Sequence, residues 1–207
     1  MRATIRCLAR DGYAGLTMKA LAAEAGLVPG ILHYYFRDKG EILATAADRV
    51  TRDLDRRVGA EARGAHDAWG RLRALIRACL AVAVEEREVW TVFIACWGEA
   101  LHDPELATLT ARAYTRSRRL IASGLARGMA EGAFRPLDPV EAATVTLALL
   151  DGLSLQLTFE DGGGPDDRRQ RVRSIRRRLA QARRLAEEVL ARYLLPRPEE
   201  TAHDHER

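Results

Sequence analysis

The chain has 207 residues, 47% of them hydrophobic, 30% charged and 6% aromatic, with a net charge of +4. That length allows one large helical domain, or a small head joined to a larger body, each with its own core. Ala, Leu, Arg and Glu lose little rotamer freedom in a helix, so their abundance favours an all-α fold and excludes extensive sheet. No unbroken apolar run approaches the roughly 20 residues that span a bilayer, and the N terminus lacks a signal-peptide layout, so a cytoplasmic chain without a membrane partner is expected.

The first helix places Ile5, Leu8 and Ala9 on one stripe over residues 1–10, and Asp11 to Gly15 breaks it with two glycines. Thr17 is an N-cap for a helix over Met18–Ala25, which Gly26 ends in a left-handed turn. Pro29 opens a short third helix with Leu32 and Phe36 inward. Asp38 caps a fourth helix, from Lys39 to about Val58, and Gly59 and Gly64 bracket the link to the body. A helix from Asp67 to about Glu88 continues through Val89 to Leu101. The next, Pro104–Glu131, stops at Gly132. Asp138 and Pro139 start one that reaches about Glu160, Asp161–Asp167 is a loop, and a last helix runs over Arg168–Leu195.

The expected domains are 1–58, a head with its linking helix; 59–195, a helical body; and 196–207, a disordered tail. Cys7, Cys79 and Cys96, three at unrelated spacings, read as core residues and not as a disulfide frame or zinc site. The first 40 residues hold six Lys or Arg against three Asp or Glu, which makes the head the basic part. Both lysines of the chain, Lys19 and Lys39, fall there.

Groove reading needs a short helix held by another helix, with small or polar residues at its first turn. Thr17–Phe36 has that form, and its second helix exposes Pro29, Gly30, His33 and Tyr34 opposite Leu32 and Phe36. The stretch Thr17–Leu43 resembles the TetR-type helix-turn-helix, whose signature runs from a capping Thr through Ala-Gly to Gly, an aromatic pair, Phe and Lys. The resemblance implies phosphate contacts at Thr17, His33, Tyr35 and Lys39, and base approach at Pro29, Gly30 and Tyr34. Lys19 and Val28 complete the expected DNA-binding set. Val28 stands where the family often has a Ser or Thr cap, and His33 where it often has Tyr. The resemblance also implies at least one more helical turn before the position of Met1.

Residues 89–160 resemble the sensor half of the betaine-biosynthesis (BetI-like) branch, through Trp90-Thr91-Val92-Phe93, Trp97, Leu101–Leu106 and Leu149–Leu153. Trp90, Phe93 and Trp97 recur at helical spacing and make one aromatic face. Two readings stand: a core face, the commoner role, or the wall of a cavity shared with Tyr114, Leu150, Asp151 and Leu155, whose rings suit a quaternary ammonium. The resemblance implies a ligand-responsive transcriptional regulator, in all about nine helices. A palindromic double-stranded operator and a small-molecule effector of unknown identity are its implied partners.

Leu147, Leu150, Leu153 and Leu157 on one helix, and Val172, Ile175, Leu179, Ala182, Leu185, Val189 and Tyr193 on the last, offer apolar stripes for a homodimer interface. Of these, Leu147, Leu153, Leu157, Leu185, Val189 and Tyr193 are the expected interface residues. Nine arginines in Arg168–Arg184 read as a solvated face and not as a second nucleic-acid contact. Glu99 and His102 match the Glu-x-x-His spacing of di-iron bundle enzymes, but the other copy, Glu200 and His203, lies beyond Pro198. With no phosphate loop or nucleophile elbow, the expectation is no enzyme, no cofactor and no metal.

Overall fold

The computed structural model describes residues 1–159 and 168–196, with side chains of the last helix from Val172 onward. The expected loop Asp161–Asp167 and the expected tail beyond Pro196 lie outside the described residues, with Glu200 and His203. Among the described residues there are nine helices and no strand: α1 Arg2–Gly15, α2 Met18–Ala25, α3 Pro29–Tyr35, α4 Lys39–Arg63, α5 Ala68–Glu85, α6 Arg87–Ala100, α7 Pro104–Ala130, α8 Pro139–Phe159 and α9 Arg168–Leu194.

Local chemistry sets most boundaries. The Ala20 N–H donates to Thr17 Oγ1 at 3.0 Å and starts α2. Gly26 ends that helix at φ 68°, with the Leu27 N–H reaching back to the Ala22 carbonyl at 2.8 Å, the pairing that satisfies orphan carbonyls at a helix end. Asp38 accepts the Glu41 N–H at 2.9 Å, and Glu41 accepts the Arg37 N–H at 2.9 Å. Asp103 and Asp138 cap α7 and α8 in the same way, accepting the Leu106 N–H at 3.1 Å and the Glu141 N–H at 3.0 Å.

Three boundaries differ from the sequence reading. The first helix does not stop at Arg10: helical turns continue to Gly15 across a break at Gly12, where φ is 65°, a value that a residue without Cβ adopts freely. Gly59 does not end α4, because one glycine costs only about 1 kcal/mol against alanine and the helix formers Ala60, Glu61 and Ala62 follow; it runs on to Arg63. The helix expected from Asp67 to about Glu88 ends earlier, at Glu85, and Glu86, with φ −122° and ψ 51°, parts it from the next; no Gly or Pro marks that break.

Tertiary contacts divide the chain into two compact units, Met1–Asp55 with Glu85–Thr115, and Arg56–Val84 with the chain from Arg116. The first unit has a core of Cys7, Leu8, Leu16, Leu21, Ala22, Leu32, Ile42, Leu43 and Ala46, joined by Val92 and Cys96 of α6 and Leu106 of α7. Three of its core residues thus come from beyond residue 58. The second unit packs α5, α7, α8 and α9 around Leu72, Ile76, Leu80, Leu125, Phe134, Leu150, Leu153, Leu179, Ala186, Leu190 and Leu194.

Helix α9 corrects its expected stripe. Its buried row is Leu179, Ala182, Ala186, Leu190 and Leu194, while Val172, Leu185 and Val189 are exposed. Two apolar rows lie about 100° apart on this helix, and the sequence reading had merged them. Arg173, Arg176, Arg177 and Arg184 are exposed. Helix α8 corrects a second expectation: by length and composition alone, Pro139–Phe159 is long and apolar enough to cross a membrane. Counting unbroken runs had hidden it behind Glu141 and Asp151. Ala142, Ala143, Thr146, Leu150, Leu153, Ser154 and Leu157 of this helix are buried in the protein.

Candidate nucleic-acid interface and aromatic site

Helix α3 is held against α2 through Leu32, which packs with Leu21 and Ala22. Its other side is open. Val28, Pro29, Gly30, His33, Tyr34 and Tyr35 are all exposed, with Tyr34 at 83% and Tyr35 at 68%. The two tyrosine rings meet edge to face at 5.0 Å, and Phe36 alone of the aromatic run packs against the core. Val28 caps α3 without a side-chain bond. Thr17, whose hydroxyl is engaged at the start of α2, and Lys19 are exposed on the preceding segment.

Lys39 is half-buried. Its Nζ donates to the Tyr13 carbonyl at 3.2 Å and sits 4.2 Å from the centre of the Tyr13 ring, a cation over the negative face of an aromatic. This contact ties the first residue of α4 to the end of α1. The sequence reading placed Tyr13 in the break after the first helix and gave it no role at the site. Nothing local couples residues 26 positions apart, so only the tertiary fold reveals the pair.

Ion pairs brace the same unit. Glu24 of α2 accepts from Arg6 at 2.5 Å and Arg10 at 3.2 Å on α1, and the Arg6 and Arg10 bonds hold its carboxyl below the usual range. Arg37, between α3 and α4, donates to Glu105 of α7 at 2.6 Å and to Glu41 at 3.3 Å.

Trp90, Phe93 and Trp97 on α6 and Tyr114 on α7 form one aromatic cluster within the first unit. Trp90 is buried and meets Trp97 edge to face at 5.4 Å and Phe93 at 5.8 Å. Tyr114 stacks on Trp97 at 6.5 Å, with 26° between planes. Phe93, Trp97 and Tyr114 are only half-buried. The residues grouped with them in the sequence reading belong to the second unit: Leu150 lies in its core, and Asp151 and Leu155 are half-buried on α8.

Of the expected interface residues, Leu153 and Leu157 are buried in the core of their own chain and Leu147 and Tyr193 are half-buried, while Leu185 and Val189 are exposed. Cys7 and Cys96 are buried, Cys79 is partly so, and none of the three is in a disulfide. Burial pushes the Cys96 thiol up, consistent with a core residue. Glu99 lies in the last turn of α6 and His102 in the turn after it, where the His102 N–H donates to the Glu99 carbonyl at 2.9 Å. No group of three or more potential ligands converges among the described residues.

Residues 1–46 match the family described as bacterial regulatory proteins, tetR family, and residues 69–195 match the family described as BetI-type transcriptional repressor, C-terminal. The chain belongs to the TetR family. It is 33% identical over 166 residues, 80% of this chain and 82% of the relative, to the HTH-type transcriptional regulator BetI of Burkholderia thailandensis. It is 34% identical over 172 residues, 81% and 83% of the two chains, to that of Burkholderia lata. Among solved structures, a transcriptional regulator from Saccharomonospora viridis in complex with choline superposes with a TM-score of 0.75 at 28% identity, over 95% of each chain. A TetR transcription regulator from Haloarcula marismortui, at 22% identity and a TM-score of 0.76 over 94% and 95%, shares the fold. The protein is thus a TetR-type transcriptional regulator with a helix-turn-helix head and a BetI-type body.

Proposed function

We propose that this TetR-family regulator is a cytoplasmic homodimeric repressor, released from a palindromic operator by a quaternary ammonium compound of the choline type. The observation that carries the effector class is the cluster of Trp90, Phe93, Trp97 and Tyr114, with three of its four rings half-exposed. A permanent cation without N–H donors is held best by the negative faces of converging rings. A core needs no such opening, and the Saccharomonospora relative holds choline. Binding would favour a body conformation that sets the two recognition helices at the wrong separation.

Choline titrated into an operator complex should release the protein, followed by fluorescence anisotropy of labelled DNA. Its uncharged carbon isostere, 3,3-dimethylbutan-1-ol, should not. Equal release by both, or by neither, removes the quaternary ammonium from the mechanism.

For the dimer, the partner-facing row takes exposed apolar residues of α8 and α9, among them Val145, Phe159, Leu185 and Val189, with Tyr193 beside Val189 at its edge. Two such helices from each chain form a four-helix contact, and its two-fold axis pairs two heads with two half-sites.

At the DNA, Lys39 and His33, Thr17, Lys19 and Tyr35 around it serve the phosphates, while Val28, Pro29, Gly30 and Tyr34 meet the bases. Lys39→Ala should weaken binding to operator and random duplex alike, and lower the slope of log affinity against log salt by about 1 per head. Tyr34→Ala should instead narrow the gap between operator and random DNA. A salt series on both duplexes separates the two, and an unchanged Lys39→Ala slope excludes the phosphate role.

A further inference from the structure

Helix α9 opens on a one-sided run of charge. Nine arginines and no Asp or Glu lie between Arg168 and Ala186. The sequence reading left these arginines to solvent, yet the helix itself resists them. The dipole and free N–H groups of a helix N terminus disfavour cations in the first turn, and that turn holds Arg168, Arg169 and Arg171 with no acidic residue. Like charges at i, i+3 and i, i+4, as in Arg173, Arg176 and Arg177, repel one another.

Packing does not ask for them either. Among the described side chains, the buried row of α9 begins at Leu179, so the turns before it add nothing to the core of the second unit. Arg173, Arg176, Arg177 and Arg184 are exposed, and among the described residues none of the four is in an ion pair. At about 100° per residue, Arg173, Arg177 and Arg184 fall within an arc of about 40°, with Arg176 about 60° to one side. Leu185 and Val189, the row given to the second copy, lie about 100° or more further round from Arg184. The arginine row is therefore a face of its own.

We propose that this row is a second DNA-contacting surface, on which Arg173, Arg176, Arg177 and Arg184 neutralise backbone phosphates of the duplex without reading its sequence. Cations that the helix resists and the core ignores are accounted for by a partner outside the chain. The guanidinium fork matches phosphate oxygens, the row runs about 16 Å along the helix, and duplex DNA is the polyanion a helix-turn-helix regulator already engages. The proposal rests on the family assignment and on no particular contact of α3.

The test compares the full-length protein with a variant carrying Arg173→Gln, Arg176→Gln, Arg177→Gln and Arg184→Gln. Both are titrated against a duplex selected by the unaltered protein from a random-sequence pool, and against an unselected duplex. Each neutralised phosphate contributes about 0.9 to the slope of log affinity against log salt. The glutamine variant should lose at least about 2 of that slope per chain on both duplexes, and bind both at least about tenfold more weakly at physiological salt. The ratio between the two duplexes should hold within about twofold, because phosphate contacts carry no sequence information. Its melting temperature should not fall, since the charges removed repel one another. Lysine at the same four positions keeps the charge and should restore most of the slope.

An unchanged slope in the glutamine variant leaves the row to solvent and overturns the proposal. A lysine variant as weak as the glutamine one overturns it too, because charge is then not what the row supplies. An unchanged slope on DNA with loss of binding to phosphatidylglycerol vesicles assigns the row to an anionic membrane instead. If the unaltered protein binds neither duplex, the DNA-binding assignment itself fails, a result distinct from an unchanged slope.

Discussion

Replacing Trp97 with alanine is expected to raise the choline concentration for half-release of operator by about 30-fold, since one desolvated ring face contributes about 2 kcal/mol to holding a cation. Trp97 is the hub of its cluster, touching Trp90 at 5.4 Å, Phe93 at 6.5 Å and Tyr114 at 6.5 Å. Loss of the indole removes one face and loosens the other three. Trp97→Phe keeps a ring and should shift the midpoint by only a few-fold. Operator affinity without choline should stay within about twofold in both, because α3 contributes no residue to the cluster. An unchanged midpoint in the alanine variant would make the cluster a core face and move the effector elsewhere.

The second large effect is on stability. Phe134, in the turn between α7 and α8, is 3% exposed and meets Trp69 of α5 edge to face at 6.5 Å. The Cδ2–Cε2 edge of its ring lies against Gly128, where a Cβ would collide with the ring and crowd Ala68. The adjacent backbone is pinned, with the Phe134 N–H on the Gly128 carbonyl at 3.2 Å and the Arg135 N–H on the Leu194 carbonyl at 2.8 Å. The turn cannot easily collapse into the space an absent ring would leave. Phe134→Ala should therefore cost about 3–5 kcal/mol and lower the melting temperature by about 10 °C. Gly128→Ala should destabilise from the opposite direction, by overpacking of about 1–3 kcal/mol. Thermal unfolding by circular dichroism checks both, and a Phe134→Ala melt within 2 °C of the unaltered protein, about 1 kcal/mol or less, would mean that the turn repacks.

The two sites were legible in the sequence to different degrees. At the DNA-reading end, Thr17, Gly26, Pro29 and Asp38 each announce a helix boundary through their own side chain or backbone, so the placement of α2 and α3 could be read directly. Helical spacing also set Tyr34 opposite Leu32 and Phe36, where it is exposed; the exposure of Tyr35 could not be read, because an aromatic beside Phe36 is equally suited to a core. In the sensor half, spacing put Trp90, Phe93 and Trp97 on one helix face, but Tyr114 joins them only through the packing of α7 on α6. Leu150 followed the apolar pattern of α8 equally well as cavity wall or core, and the fold put it in the core of the second unit.

What the sequence determined by itself was local: the caps at Thr17, Asp38 and Asp138, the left-handed Gly26, and an all-helical chain. Each of these depends on groups within a few residues, where interaction is assured by chain connectivity. Tertiary structure decided three other things. It closed the head's core with Val92, Cys96 and Leu106, set Lys39 over Tyr13, and buried the Leu179–Leu190–Leu194 row of α9 while leaving Leu185 and Val189 outside. Neighbouring apolar rows on one helix differ little in hydrophobicity. Which one turns inward is settled by the shape and burial that distant residues offer, and no local pattern contains that.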